Sequence, residues 1–161
     1  MPAIRDKDDN LQAPELRHYR PADFEQLWEL DQQCFPPQIA YSRQELAYYL
    51  RSKNAICHIA CLNQQIVGFI VGHNDRRGFG HIVTLDVDPS QRRSRIGTTL
   101  MDALEQDFRS AGCKSIFLEV AVNNRAALAF YKKHGYAVSK TLGRYYPGEL
   151  DGLLMGKRIA D

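Results

Sequence analysis

The apolar residues change their period once in the middle of the chain, and that change fixes the class of fold. From Ala55 to Leu62 they form an almost unbroken run, Asn63-Gln64 marks a turn, and Gln65 to Gly72 forms a second run. Two such runs joined by a two-residue turn read as an antiparallel hairpin of buried strands. Gly80 to Val87 follows as a third strand after a turn at Arg76 to Gly78. Beyond Thr98 the spacing becomes helical. Leu100, Met101, Leu104 and Phe108 share one face of a helix that runs to Ala111, where Gly112 stops it.

The flanking segments complete an α+β order. Leu16 to Arg20 is a short strand, and Pro21 suits the first turn of a helix. Phe24, Leu27, Trp28 and Cys34 give that helix an apolar side, and Phe35-Pro36-Pro37 ends it. Ser42 and Glu45 form a capping-box pattern that opens a second helix through Leu50. After the central helix, Ser115 to Val120 is a strand with Ile116, Leu118 and Val120 on one face. Asn124 is placed to cap a helix bearing Ala127, Leu128 and Tyr131 and ending at Gly135. Strands at Tyr136 to Ser139 and Leu153 to Ile159 close the chain.

With 161 residues, one domain is expected, over residues 15–161, behind a polar N-terminal tail at residues 1–14 that carries Asp6, Lys7, Asp8 and Asp9 and is expected to be flexible. A net charge of +2 sets no global preference for a polyanion. The four cysteines, Cys34, Cys57, Cys61 and Cys113, show no zinc-like spacing, so no metal is expected. They read as buried, reduced thiols in a cytoplasmic setting. No apolar run approaches the ~20 residues of a membrane span, so no membrane partner is expected. Monomer and homodimer both stay open.

Chemistry concentrates in Asp88 to Thr98, a strand–basic loop–helix. The free N–H groups and dipole at a helix start make an anion site. Arg92, Arg93 and Arg95 surround it with charge, and Gly97 removes a side chain where a ligand must come close to the backbone. A diphosphate is the natural guest, although the loop by itself reads equally as a solvated basic turn. A nucleotide P-loop does not fit, because GxxxxGK[ST] is missing. Nor do three arginines in one compact loop make the long basic stripe of a nucleic-acid binder.

Arg92-Arg93-Ser94-Arg95-Ile96-Gly97, followed by Thr98, resembles the pyrophosphate loop of the GNAT N-acetyltransferases. Asn124, Ala127, Phe130-Tyr131 and Gly135-Tyr136 resemble a second motif of that family, and Gly68 matches its hairpin glycine. The chain is most similar in pattern to the ribosomal-protein (RimI-type) N-terminal acetyltransferases. This resemblance spans Leu16 to Ile159 and implies a GNAT fold. Such a fold is a mixed, mostly antiparallel sheet of six to seven strands with about four helices and splayed central parallel strands.

The resemblance also implies acetyl-CoA as co-substrate. It assigns the cofactor to Leu85, Asp86, Val87, Arg92, Arg93, Ser94, Arg95, Ile96, Gly97, Thr98 and Asn124. Phe35 and Pro36 look like the family's peptide-binding loop, and Tyr145 and Tyr146 like a loop covering the substrate N-terminus. Glu119 matches the family's base, Tyr131 its acid, and an N–H near Val87 its oxyanion donor. Arg95 departs from the pattern, since it stands where the family has a glycine. If that position is left-handed, arginine strains it by about 1 kcal/mol.

The chemistry asked of these residues is direct acyl transfer. A neutral amine attacks a thioester, so Glu119 would take the amine proton and Tyr131 would protonate the leaving thiolate. The acceptor expected is a protein or peptide N-terminus. A small-molecule amine is the near alternative, and a non-catalytic acyl-CoA-binding sensor the alternative from another class. The five histidines show no ligand or triad spacing, and no role is expected of them.

Overall fold

The computed structural model describes residues 12–92 and 94–160. Residues 1–11, which include most of the expected tail, and Arg93 of the basic loop lie outside the described residues.

Seven strands form one sheet in the order β1-β2-β3-β4-β5-β7-β6. The chain enters through β1 (Glu15–His18) and a 3-10 turn at Pro21–Asp23, then α1 (Phe24–Cys34) and α2 (Arg43–Arg51). Pro21 thus opens a tight turn ahead of the helix and not the helix itself. The capping box at α2 is complete: Ser42 Oγ accepts from the Glu45 N–H, and Glu45 accepts from the Ser42 N–H.

The strands β2 (Ala55–Leu62) and β3 (Gln65–Asn74) form the expected hairpin. Asn63 and Gln64 both have positive φ, 49° and 66°. That pair of left-handed residues is the turn whose twist matches two adjoining strands. The third strand, β4 (Phe79–Val87), pairs antiparallel with β3, but its register slips once. Gly72 faces Ile82 and Val71 faces Thr84, so Val83 bulges out between them. The helix α3 (Ile96–Ser110) then crosses back to β5 (Ser115–Ala121), which runs parallel to β4.

Only three residue pairs join β4 and β5, from Phe79↔Ser115 to His81↔Phe117. Past His81 the two strands diverge, and the sheet opens into a wedge. Beyond β5, α4 (Arg125–Lys133) leads into a closing hairpin of β6 (Ala137–Tyr146) and β7 (Leu150–Arg158). The β6 strand is more than twice as long as the sequence suggests. It lies on the sheet edge and is exposed along nearly its whole length, so no apolar alternation marks it. Tyr145 and Tyr146, expected in a loop, are its last two residues, with Tyr146 paired to Leu150.

Two apolar cores lie on opposite faces of this sheet. On one, α3 buries Leu100, Met101, Leu104 and Phe108 completely against Ile70, Ile116, Leu118 and Met155, with α4 alongside. On the other, α1 and α2 bury Leu27, Leu30, Leu46 and Leu50 against Ile59, Phe69 and Val71. Cys57 and Cys61 belong to this second core, as expected. Emptying a site such as Phe108 would cost about 3–5 kcal/mol.

Candidate active site

The wedge between β4 and β5 brings together most of the residues singled out in the sequence. At its apex the rings of His81 and Phe117 stack at 4.5 Å, nearly parallel. Two residues along β5, the Glu119 side chain turns back, and its Oε2 lies 2.7 Å from His81 Nε2. Both groups keep some solvent access, 23% for His81 and 19% for Glu119. A proton taken up by this pair can therefore leave to water. Sequence reading assigned His81 no role. Its meeting with Glu119 depends on the register of two strands joined through α3, which no local pattern records.

Four tyrosines lie close enough to Glu119 to feel its charge. Burial raises the pKa of Tyr41, Tyr49, Tyr145 and Tyr146, and the Glu119 carboxylate raises each further. Tyr41 and Tyr49 pack edge to face at 5.4 Å, and Tyr145 and Tyr146 at 4.9 Å. All four hydroxyls therefore stay protonated through the neutral range and serve as donors. Tyr41 and Tyr49 escaped sequence reading, because the α1–α2 segment shows which face it turns to β4 only once folded. Phe35 is the residue just after α1 and is half-buried, with Pro36 exposed beside it.

Tyr41 is held at several points. Its N–H donates to Asp31 Oδ2 at 2.8 Å, and its carbonyl accepts from Trp28 Nε1 and Gln32 Nε2. Its hydroxyl donates to the carbonyl of Val83, the bulged residue of β4, at 3.1 Å. The segment carrying Phe35 and Pro36 is thereby fastened to the lip of the wedge.

The other side of the wedge is formed by α3 and α4. Arg95 is the N-cap of α3 and is left-handed, with φ 66° and ψ 8°. The arginine therefore occupies the conformation that glycine adopts at no steric cost, a strain of about 1 kcal/mol. Among the described residues no side chain caps this helix start, and the first turn opens with Thr99 N–H donating to Arg95 O. The N–H groups of Ile96, Gly97 and Thr98 thus lack an i−4 partner within the helix. Arg92 and Arg95 are exposed beside it. Ser94 is less available, since its hydroxyl donates to the Gln91 carbonyl.

Gly97 also has a packing role. A Cβ there would meet the Phe130 ring at 3.3 Å, so the glycine lets α4 approach α3 closely. Gly68 is more tightly constrained: an added Cβ would lie 2.9 Å from the Asp86 carbonyl and 3.1 Å from Ile96 Cγ2. It lets β4 and α3 meet at the wedge.

Leu85 and Val87 pack on the α3 side. Asp86 does not. The bulge at Val83 helps turn its side chain toward α1, where it is 1% exposed, so only its main chain can face a ligand in the wedge. Tyr131, on α4, is half-buried against Phe130 and Tyr136. Burial raises its pKa, with the nearby carboxyl of Asp86 and Tyr146 adding to the shift, so the phenol stays protonated. Asn124 caps α4 through Oδ1, which accepts from the Ala127 N–H at 3.1 Å. Its amide NH₂ remains free to donate. Two open concavities of ≈ 550 and ≈ 500 Å³, one between α1 and α2 and the other beside β2, contain none of these residues.

Residues 24–136 match the acetyltransferase (GNAT) family. An uncharacterized N-acetyltransferase of Methanocaldococcus jannaschii is 33% identical over 144 residues, 89% of this chain and 90% of that protein. Human N-alpha-acetyltransferase 30 is 32% identical over 119 residues, 70% of this chain, and the chain spans only 32% of its length. The crystal structure of Ard1 from Thermoplasma volcanium superposes with a TM-score of 0.85 at 27% identity, covering 93% of this chain and all of that one. The family match spans both the start of α3 and the splayed strands, and on that basis the chain belongs to the GNAT family, as an N-acetyltransferase that uses acetyl-CoA.

Proposed function

We propose that the chain acetylates the N-terminal α-amine of a protein or peptide. The observation that carries this reading is the His81–Glu119 pair at the apex of the wedge, with Tyr41, Tyr49, Tyr145 and Tyr146 close enough to feel the charge of its carboxylate. An α-amine arrives as a cation at neutral pH, and a carboxylate that keeps solvent access is the group that draws it in. The likeness to an N-alpha-acetyltransferase supports the same acceptor class.

The residues present fit acetyl-CoA. The first-turn N–H groups of α3, with Arg92 and Arg95, suit a pyrophosphate, and Asn124 and the Leu85–Val87 main chain suit an extended amide-bearing arm. Bound there, acetyl-CoA supplies the acetyl group as a thioester. Glu119, with His81 as its hydrogen-bond partner, accepts the proton of the incoming amine and passes it to solvent. The Val87 N–H, at the end of a strand that has left its parallel neighbour, is the candidate donor to the developing oxyanion. Tyr131, kept protonated by burial, donates to the departing sulfur.

The test is thiol release from acetyl-CoA against a panel: peptides with varied free N-termini, N-blocked lysine peptides, polyamines and free amino acids. The expected result is turnover with free N-termini, with the acetyl group located on the α-nitrogen by mass spectrometry. Turnover confined to small amines would overturn the acceptor. Tight cofactor binding without turnover on any acceptor would point to a sensor.

A further inference from the structure

Two carboxyl groups are buried together beneath the wedge. Asp31 on α1 is 0% exposed and Asp86 on β4 is 1% exposed. Each has one oxygen satisfied. Asp31 Oδ2 accepts from the Tyr41 N–H at 2.8 Å, and Asp86 Oδ1 accepts from the Thr84 hydroxyl at 2.5 Å. The other two oxygens, Asp31 Oδ1 and Asp86 Oδ2, are buried without a donor among the described residues. The two side chains are within hydrogen-bonding reach of each other. Buried polar atoms without partners are rare and call for an explanation. One proton between these two oxygens satisfies both and leaves the pair with one negative charge instead of two.

We propose that Asp31 and Asp86 share a proton, and that this acid–carboxylate bond clamps α1 to the unpaired end of β4 and positions the Val87 main chain for acetyl transfer. The location supports the role. Past His81, β4 has no β5 neighbour, and α1 with its following segment fastens it instead. Tyr41 holds the Val83 carbonyl, Cys34 Sγ–H donates to the Val87 carbonyl at 3.3 Å, and the carboxyl pair lies between these two links. Both aspartates are positioning residues here, since neither side chain reaches the wedge.

The surroundings favour the shared proton. Burial, then the charge of Asp31, drives the Asp86 carboxyl well above the usual carboxylate range, with Arg92 pulling weakly the other way. Burial also raises Asp31, and Glu45 of α2 adds to it. The remaining titratable neighbours are Tyr41 after α1, Cys34 of α1, Cys57 of β2 and Tyr131 of α4, whose pKa values all rise first through burial and then through nearby groups: Tyr49 and Asp31 for Tyr41, Asp86 for Cys34 and Tyr131, and Asp23 and Asp86 for Cys57. None supplies a compensating cation.

The positional half of the proposal rests on the function proposed above, and the shared proton does not. Infrared spectroscopy of the wild-type protein at pH 7 should show a protonated-carboxyl band that is absent from Asp86→Asn. The amide of Asp31→Asn keeps an oxygen for the Tyr41 N–H and turns a donor to Asp86, so its kcat should stay within about threefold of wild type. Asp86→Leu should lower kcat by at least about tenfold with the acetyl-CoA KM little changed, as expected when reacting groups are misplaced. A folded-state pKa raised above the unfolded value of about 4 gives stability that is lost as pH rises. The wild-type melting temperature should therefore fall relative to Asp86→Asn as pH rises from about 4, until the shared proton is lost.

Absence of the infrared band, together with parallel melting curves, overturns the shared proton. A folded Asp86→Leu with unchanged kcat overturns the positioning role. If no substituted protein folds, loss of the wild-type band on alkaline titration still decides the matter. If the band and the pH trend are present while no acceptor is acetylated, the clamp stands and the functional reading fails.

Discussion

Replacing Glu119 by glutamine keeps the shape of the wedge and removes the group that would take the amine proton. An α-amine of pKa about 7.8 is roughly one-seventh neutral at pH 7 and almost wholly neutral at pH 9. Loss of general-base help costs ~10²–10⁴-fold, about 2.7–5.4 kcal/mol at 1.36 kcal/mol per decade. His81 lies 2.7 Å from the same carboxylate and is reachable by solvent, so it remains as a second acceptor. We therefore expect the low end, about 10² in kcat/KM at pH 7. The deficit should shrink about sevenfold by pH 9, because the amine then arrives already neutral. Adding His81→Phe, which keeps a ring over Phe117, should deepen the loss about another tenfold at pH 7. Steady-state thiol release across pH 6.5–9.5 measures all three variants. A Glu119→Gln enzyme within threefold of wild type, or a deficit that does not narrow with pH, would refute the role of this carboxylate.

Three further outcomes follow from particular contacts. Tyr131→Phe should lower kcat by ~10²-fold while leaving acetyl-CoA affinity by calorimetry nearly unchanged, because the ring packing against Phe130 and Tyr136 survives. Arg95→Gly should relieve up to about 1 kcal/mol of left-handed strain, offset in part by the greater freedom of glycine in the unfolded chain. Its melting temperature should hold or rise while its Kd for acetyl-CoA increases. Lys157→Met should remove the ion pair that Lys157 Nζ makes with Glu105 Oε2 at 3.0 Å, leaving the buried Glu105 with the Tyr136 hydroxyl at 3.0 Å and Arg109 at 3.6 Å among the described residues. The cost is about 3 kcal/mol, roughly 6–12 °C by calorimetry, and Glu105→Gln on the same background should recover most of it.

Elements with local signatures were legible in the sequence. Ser42 and Glu45, the Asn63-Gln64 turn, the Asn124 cap and the Gly112 stop each rest on contacts within a few residues, and each stands where expected. The strand–loop–helix junction between Val87 and Ile96 was legible for the same reason. What was not legible depends on pairings between distant segments. His81 meets Glu119 only because β4 and β5 align over three residue pairs. The inward turn of Asp86 follows a one-residue bulge that no alternation announces, since Val83 and its neighbours are similar in character. Tyr145 and Tyr146 were placed in a loop because an exposed edge strand carries no periodic burial to mark it.

The two apolar cores share no residue, and in the reaction proposed above each would underlie one half. The core of α3 and α4 sits behind the helix start proposed to grip the acetyl carrier, and the core of α1 and α2 sits behind the tyrosines and histidine that would meet the acceptor. The sheet between them acts as a partition. A lineage with this architecture can therefore remodel what it modifies by repacking one side, while its hold on the donor is inherited intact.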